Sequence, residues 1–191
     1  KINALNRKID NHCLLRLGFS NAIISDPEQT LKQLRSINNQ TEVQLVKADL
    51  IAGPEHLQFA ARNAFHSFKG KRRRSKSLAM ELLLYISCQR QIAKAIRFLG
   101  VDSKDSRIAI VALSESRAAL EELAREAQSI VGGTPDDDLI EIQSEQRVAR
   151  LQRSYGIPSR AMEAARFEGE TDSSVLKRLI VERSALLDIQ D

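Results

Sequence analysis

Residues 77–100 read SLAMELLLYISCQRQIAKAIRFLG. The first half is apolar on nearly every side of a helical projection, which belongs to a helix packed on several sides rather than to one lying on a surface. The stretch predicts one continuous central helix, starting near Ser77 and stopping at Gly100, a residue suited to the position just past a helix end. Its second half, CQRQIAKAIRFL (88–99), regains amphipathicity. At about 100° per residue, Cys88, Ile92, Ala95, Ile96 and Leu99 fall within an arc of about 80° and are expected to face the core. Arg90, Lys94 and Arg97 fall within about 60° on the opposite side, giving a cationic exposed face.

Directly before this helix stands KGKRRRSKS (69–77), six cations in nine residues. Residues 69–97 carry nine Lys or Arg and a single acid, Glu81. The net charge of the whole chain is only +4, so the remainder is acidic and the basic excess sits in one segment. Arg90 and Lys94 stand at i, i+4, where like charges repel by a few tenths of a kcal/mol. No acid lies between positions 82 and 101 to offset them. A polyanion neutralising that face makes sense of the arrangement; a solvated face with a flexible loop is the plainer reading. Composition alone fits nucleic acid, an acidic membrane surface or an acidic protein equally.

Outward from the central helix, CLLRLGF (13–19) reads as a strand, and Asp26-Pro27 opens a helix to about Ser36, with Asp26 as N-cap. EVQLVKA (42–48) alternates as a strand. Gly53-Pro54 begins the next helix, in which Leu57, Ala60, Ala61, Ala64, Phe65 and Phe68 form an apolar stripe. RIAIVAL (107–113) reads as a strand, 116–131 as a helix and DLIEI (138–142) as a strand. Three helices follow at 145–154, 158–166 and 172–188. The order predicts an α/β (α+β) fold with a small mixed or antiparallel four-stranded sheet surrounded by about seven helices. Residues 1–12 read as a leader or an edge element, and 13–191 as one domain. Aromatics are 4% and Trp is absent, so the core is built from aliphatic side chains. The longest apolar run is far short of the roughly 20 residues a membrane span needs, and no membrane partner is expected. Two cysteines without a CxxC point to a reducing, cytoplasmic setting. The chain begins at Lys1 rather than Met, which leaves a trimmed leader open.

Catalytic signatures are absent from the sequence. Gly132-Gly133 lacks the Lys of a phosphate-binding loop. His12, His56 and His66 are not at metal-ligand spacing, and His66, beside Phe65, is expected to be partly buried. Asp136, Asp137 and Asp138 read as a Pro-Asp turn rather than a magnesium site. No metal, cofactor or activity of the chain's own is expected; the residues argue for binding.

The segments VKADLIAGPEHLQFAARNAFHSF (46–68), SLAMELLLYISCQRQIAKAIRFLGV (77–101) and RIAIVAL resemble the small non-catalytic subunit family of the KEOPS (EKC) complex, whose human counterpart is called PRPK-binding protein. The most specific matches are L-I-A-G before a helix, A-x-x-A-x-x-S-F and E-L-L-L-Y-x-S-x-x-R-Q-I. The resemblance covers about residues 13–180 in element order and is sharp over 43–113. The basic loop is longer and richer in cations than the family pattern requires, so its details do not carry over. The resemblance implies an accessory subunit that binds a small kinase-like ATPase and works beside an ASKHA-fold transferase. The assembly makes threonylcarbamoyladenosine next to the tRNA anticodon. It implies, too, capture of tRNA by its single-stranded 3′ CCA end, as archaeal members do. Lys69, Lys71, Arg72, Arg73, Arg74, Ser75, Lys76, Ser87, Arg90, Gln91, Lys94 and Arg97 are the residues placed to hold it. Single strands are gripped by backbone cations and by hydrogen bonds or stacking to bases. Phe68, at the loop's entrance, is expected to serve the core rather than a base. On 172–188 an apolar arc with Arg183 inside it is mostly core; Val175, Leu179, Arg183 and Leu186 are its candidates for a protein interface. The rival expectation is a pure protein adaptor of the kinase-like subunit that binds no RNA.

Overall fold

The centre of the molecule is a strand that never meets solvent. The structure, a computed structural model, describes the backbone of residues 5–70 and 73–188 and the side chains of 9–70 and 73–187. In chain order the elements are β1 (Leu5–Ile9), β2 (His12–Ser20), α1 (Pro27–Ile37), β3 (Glu42–Lys47), α2 (Pro54–Lys69), α3 (Leu78–Ser87), α4 (Ile92–Leu99), β4 (Ile108–Ser114), α5 (Arg117–Val131), β5 (Thr134–Pro135), α6 (Glu145–Ser154), α7 (Ser159–Ala165) and α8 (Asp172–Ala185). Three 3-10 turns, Ala48–Leu50, Asp137–Ile140 and Leu186–Asp188, complete them.

The sheet runs β1-β2-β4-β3, every pair antiparallel, with β5 on the end of β2. All seven residues of β4 are buried. Successive strand side chains point to opposite faces, so Ile108, Ile110 and Ala112 enter one core, with Leu120, Leu123 and Ala127 of α5 and Leu34 of α1. Ala109, Val111 and Leu113 enter the other, against α2 and α3. An antiparallel sheet often leaves one face wet; here helices cover both. A third cluster joins α6, α7 and α8 around Leu151, Tyr155, Leu176 and Ile180.

Local signals explain most element ends. The side chains of Asp26, Ser77, Ser116, Ser144 and Thr171 each accept from a backbone N–H in the first turn of the helix they precede, which satisfies one of the donors every helix start leaves open. The stripe of α2 is buried from Leu57 to Phe65, and Phe68 is half-buried against the same core.

Three expectations are corrected. Residues 138–142 are not a strand. Asp136 donates its N–H to the Gly18 carbonyl at 2.8 Å, and the Gly18 N–H donates to Asp137 Oδ1 at 3.0 Å. The chain then turns, and Leu139 and Ile140 enter the core. Gly18 permits the crossing, because a Cβ there would lie 2.2 Å from the Asp136 carbonyl oxygen. The fourth long strand is instead β1, so residues 5–9 are the edge element. His66 is exposed; the buried histidine is His56.

The third correction concerns the central helix, which is two helices. Cys88 takes the left-handed conformation, φ 52° and ψ 35°. Its N–H donates to the Tyr85 carbonyl, and that of Gln89 donates to the Leu84 carbonyl, closing α3 as a glycine normally would. Gln91 is extended, and α4 restarts at Ile92 in a new phase. Ala95 and Leu99 are buried, as expected. Ile92 and Ile96, which the continuous projection turned inward, are 38% and 49% exposed.

Candidate nucleic-acid interface

The break at Cys88 shapes the site. It turns Arg90 and Gln91 out of the helix and opens a second helix start beside them. Gln91, the residue that opens α4, makes no capping hydrogen bond from its side chain among the described residues, and such a terminus favours negative charge. A pocket of about 410 Å³ lies there, lined by Cys88, Gln89, Arg90, Gln91, Lys94, Arg183, Leu186 and Leu187.

The basic loop reaches the same place. Arg74 Nη2 donates to the Leu187 carbonyl at 2.5 Å, and Arg90 Nη2 donates to that same oxygen at 3.2 Å. Two guanidiniums sixteen positions apart in sequence thus meet on one acceptor, which joins the loop, the α3–α4 junction and the end of α8. The partial negative charge of the shared carbonyl oxygen favours both guanidiniums.

Glu81 anchors the loop from below. Its side chain is fully buried. Its Oε1 accepts the Ser75 N–H at 2.6 Å and also the Arg74 N–H. The one acid of the basic segment therefore binds loop backbone rather than a surface cation. Among the described residues its Oε2 is buried without a partner.

Elsewhere the loop's cations lie against aromatic rings: Lys69 Nζ is 4.3 Å from the Phe65 ring centre, and the Arg73 guanidinium is 6.0 Å from that of Phe68. Lys76, Lys94 and Arg97 are exposed, and among the described residues none of them pairs with a carboxylate. Lys71 and Arg72 lie outside the described residues.

Several expected site residues are placed differently. Ser87 is fully buried and donates its hydroxyl to the Leu84 carbonyl at 3.0 Å, so it contacts no ligand. Ser75 is 8% exposed, with its hydroxyl on the Ser77 carbonyl; it fixes the loop rather than reaching from it. Arg74 is half-buried and braces the site. Val175 is fully buried in the third core cluster and cannot meet a partner protein. Leu179 is half-buried and Leu186 is 43% exposed. Arg183 is exposed, donates to the Tyr155 carbonyl, and lines the cationic pocket. It thereby joins the basic strip, which sequence reasoning missed; its acceptor is a backbone atom just past the end of α6, and no side-chain pattern announces one.

Cys88 lines this pocket too, yet burial pushes its thiol up to about 12. A thiol rather than a thiolate is a poor nucleophile.

The chain is 32% identical over 111 residues to the "Regulatory protein Cgi121" of Methanocaldococcus jannaschii, an alignment covering 56% of this chain and 68% of that protein. The family model described as "Kinase binding protein CGI-121" matches residues 20–188, which take in β3, β4, β5 and every helix but begin only at the last residue of β2. The chain therefore belongs to the kinase binding protein CGI-121 family.

Proposed function

We propose that this chain is an accessory subunit of a KEOPS-type assembly, without catalysis of its own, which binds the kinase-like ATPase and recruits tRNA by its 3′ CCA end for threonylcarbamoyladenosine formation. Family membership supports the kinase-binding half. The observation that carries the RNA half is the meeting of Arg74 and Arg90 on the Leu187 carbonyl. It sets the basic loop beside the uncapped start of α4, with Lys94, Arg97 and Arg183 nearby. Such a strip of cations and open N–H groups suits the phosphates of a single strand, while exposed Gln91 offers donor and acceptor to a base.

The test is tRNA binding to the isolated chain by gel shift, comparing intact tRNA with tRNA lacking its terminal CCA. Lys94→Glu with Arg97→Glu is the informative variant, since both side chains are exposed and neither carries an internal ion pair among the described residues. We expect binding to weaken at least about tenfold in the variant, and on removal of CCA for the unaltered protein. Unchanged affinity in both comparisons removes the RNA role from this strip.

A second reading has an observation of its own. Ile92 and Ile96 stand exposed among the cations of α4, and Leu186 is exposed at the pocket's edge. Apolar side chains ringed by charge suit a protein contact, and an adaptor docking on an acidic patch of the kinase-like subunit would use them. It predicts co-purification with that subunit and no affinity for naked tRNA.

A further inference from the structure

A second arginine cluster lies away from the strip. A groove of about 730 Å³ runs between the 3-10 turns Ala48–Leu50 and Asp137–Ile140 and helix α6, and shares no lining residue with the pocket at the α3–α4 junction. Arg147, Arg150 and Arg153 stand at three-residue steps on α6, which keeps them on one side of the helix. Arg107 joins them from just before β4.

Their charges are not balanced locally. Asp49 is shared: its Oδ1 accepts from Arg107 Nε at 2.9 Å and its Oδ2 from Arg150 Nη1 at 2.6 Å. Arg147 is held by backbone, with Nη2 donating to the carbonyls of Ala48 at 2.7 Å and Ile51 at 3.1 Å. Among the described residues its Nε is buried without a partner, and its Nη1 has none. Glu141, the other acid near Arg147, is taken by Lys177 at 3.2 Å. Asp49 thus pairs with two guanidiniums, and among the described residues Arg147 forms no ion pair. Burial, together with Arg107 and Arg150, holds Arg147 below the usual arginine range, so this wall gains from an added anion. Asp136 and Asp138 line the groove as well, which confines an anion to the α6 wall.

We propose that Arg107, Arg147 and Arg150, with exposed Arg153 beside them, form a phosphate-binding site separate from the basic strip. Guanidiniums suit this ligand because their planar forks match phosphate oxygens in pairs. A backbone-held Arg147 is already ordered, so less freedom is lost on binding. The phosphate belongs either to an RNA backbone or to a free nucleotide; the chemistry at the wall is the same.

The probe is inorganic tripolyphosphate titrated into the full chain, read by the Nε–Hε resonances of the arginines in NMR spectra. We expect those of Arg107, Arg147 and Arg150 to shift saturably. Arg150→Ala with Arg153→Ala should weaken the binding about tenfold or more, while Arg150→Lys retains part of it. Tripolyphosphate that moves none of these resonances at millimolar concentration overturns the proposal. A salt series with tRNA separates the sources. If the phosphate is RNA's, the double variant lowers the log–log slope by about 1.5, at roughly 0.7–0.9 per phosphate. An unchanged slope with tripolyphosphate binding intact assigns the site to a free phosphate compound. Lys94→Glu with Arg97→Glu should leave the tripolyphosphate shifts in place, so failure of the strip and failure of this groove are read independently.

Discussion

His56 is wholly buried, and its two ring nitrogens are both committed. Nδ1 accepts the Ala52 N–H at 3.2 Å, so Nε2 carries the proton and donates to the Ile86 carbonyl at 3.0 Å. The neutral ring thus ties the turn before α2 to α3, and Tyr155 packs edge-on at 6.0 Å. Burial pushes its pKa down to about 4. A folded pKa below the unfolded 6.5 means that the stabilisation is complete above pH 6.5 and is lost as pH falls toward 4. The change amounts to about 3 kcal/mol over that window. Denaturant unfolding at pH 7 and pH 4 checks it: His56→Leu should be less stable than the natural chain at pH 7 but show a smaller loss on acidification. Equal losses in both proteins contradict the assignment. Glu81 makes a second prediction at this scale. In Glu81→Ala the amides of Arg74 and Ser75 lose their acceptor, which costs about 1–3 kcal/mol for each one left unsatisfied. Hydrogen exchange at those two amides should accelerate beyond the change in global stability; exchange that tracks global stability alone would mean Glu81 does not fix the loop.

Among the elements, the helix break decides what α4 presents. Element types were legible wherever periodicity and caps agreed: Asp26-Pro27 for α1, the Leu57 to Phe65 stripe for α2, and 145–154 for α6, which matches to the residue. The break at Cys88 was not legible. A left-handed helix end is normally signalled by Gly or Asn, and here a half-buried cysteine takes it, its Sγ 3.6 Å from the Ile180 carbonyl. That contact, ninety-two positions away, is tertiary and leaves no local trace. DLIEI failed for a related reason, since its apolar character is local while the Gly18 backbone that turns it aside is distant. The phase of α4 can be tested directly. Ile96→Glu should change folding stability by no more than about 0.5 kcal/mol, whereas Leu99→Ala should cost about 2–5 kcal/mol. A large loss in Ile96→Glu would restore the continuous helix.

At the scale of the whole molecule, charge is arranged in two places rather than one. The basic loop was visible as composition, and the resemblance placed Arg90, Gln91 and Lys94 beside it. What composition could not supply is that Arg74 and Arg90 converge through a carbonyl at the other end of the chain, or that Ser87 and Ser75 face inward. The α6 arginines, at positions 147, 150 and 153, carried a readable three-residue spacing. They sat in an acidic half of the chain, where net charge concealed them. The basic strip and the arginine groove lie on separate sets of elements, so substitutions in one should leave stability and binding at the other additive within about 0.5 kcal/mol.

The central claim is that the loop and the start of α4 together form one surface that holds the free end of tRNA. A gel shift of the isolated chain with tRNA carrying or lacking CCA, repeated with Lys94→Glu and Arg97→Glu combined, tests it most directly. Intact tRNA should bind the natural protein, loss of CCA should weaken this binding, and the variant should weaken it while keeping its thermal midpoint. Equal affinity of the natural protein and the folded variant for both tRNAs would contradict it.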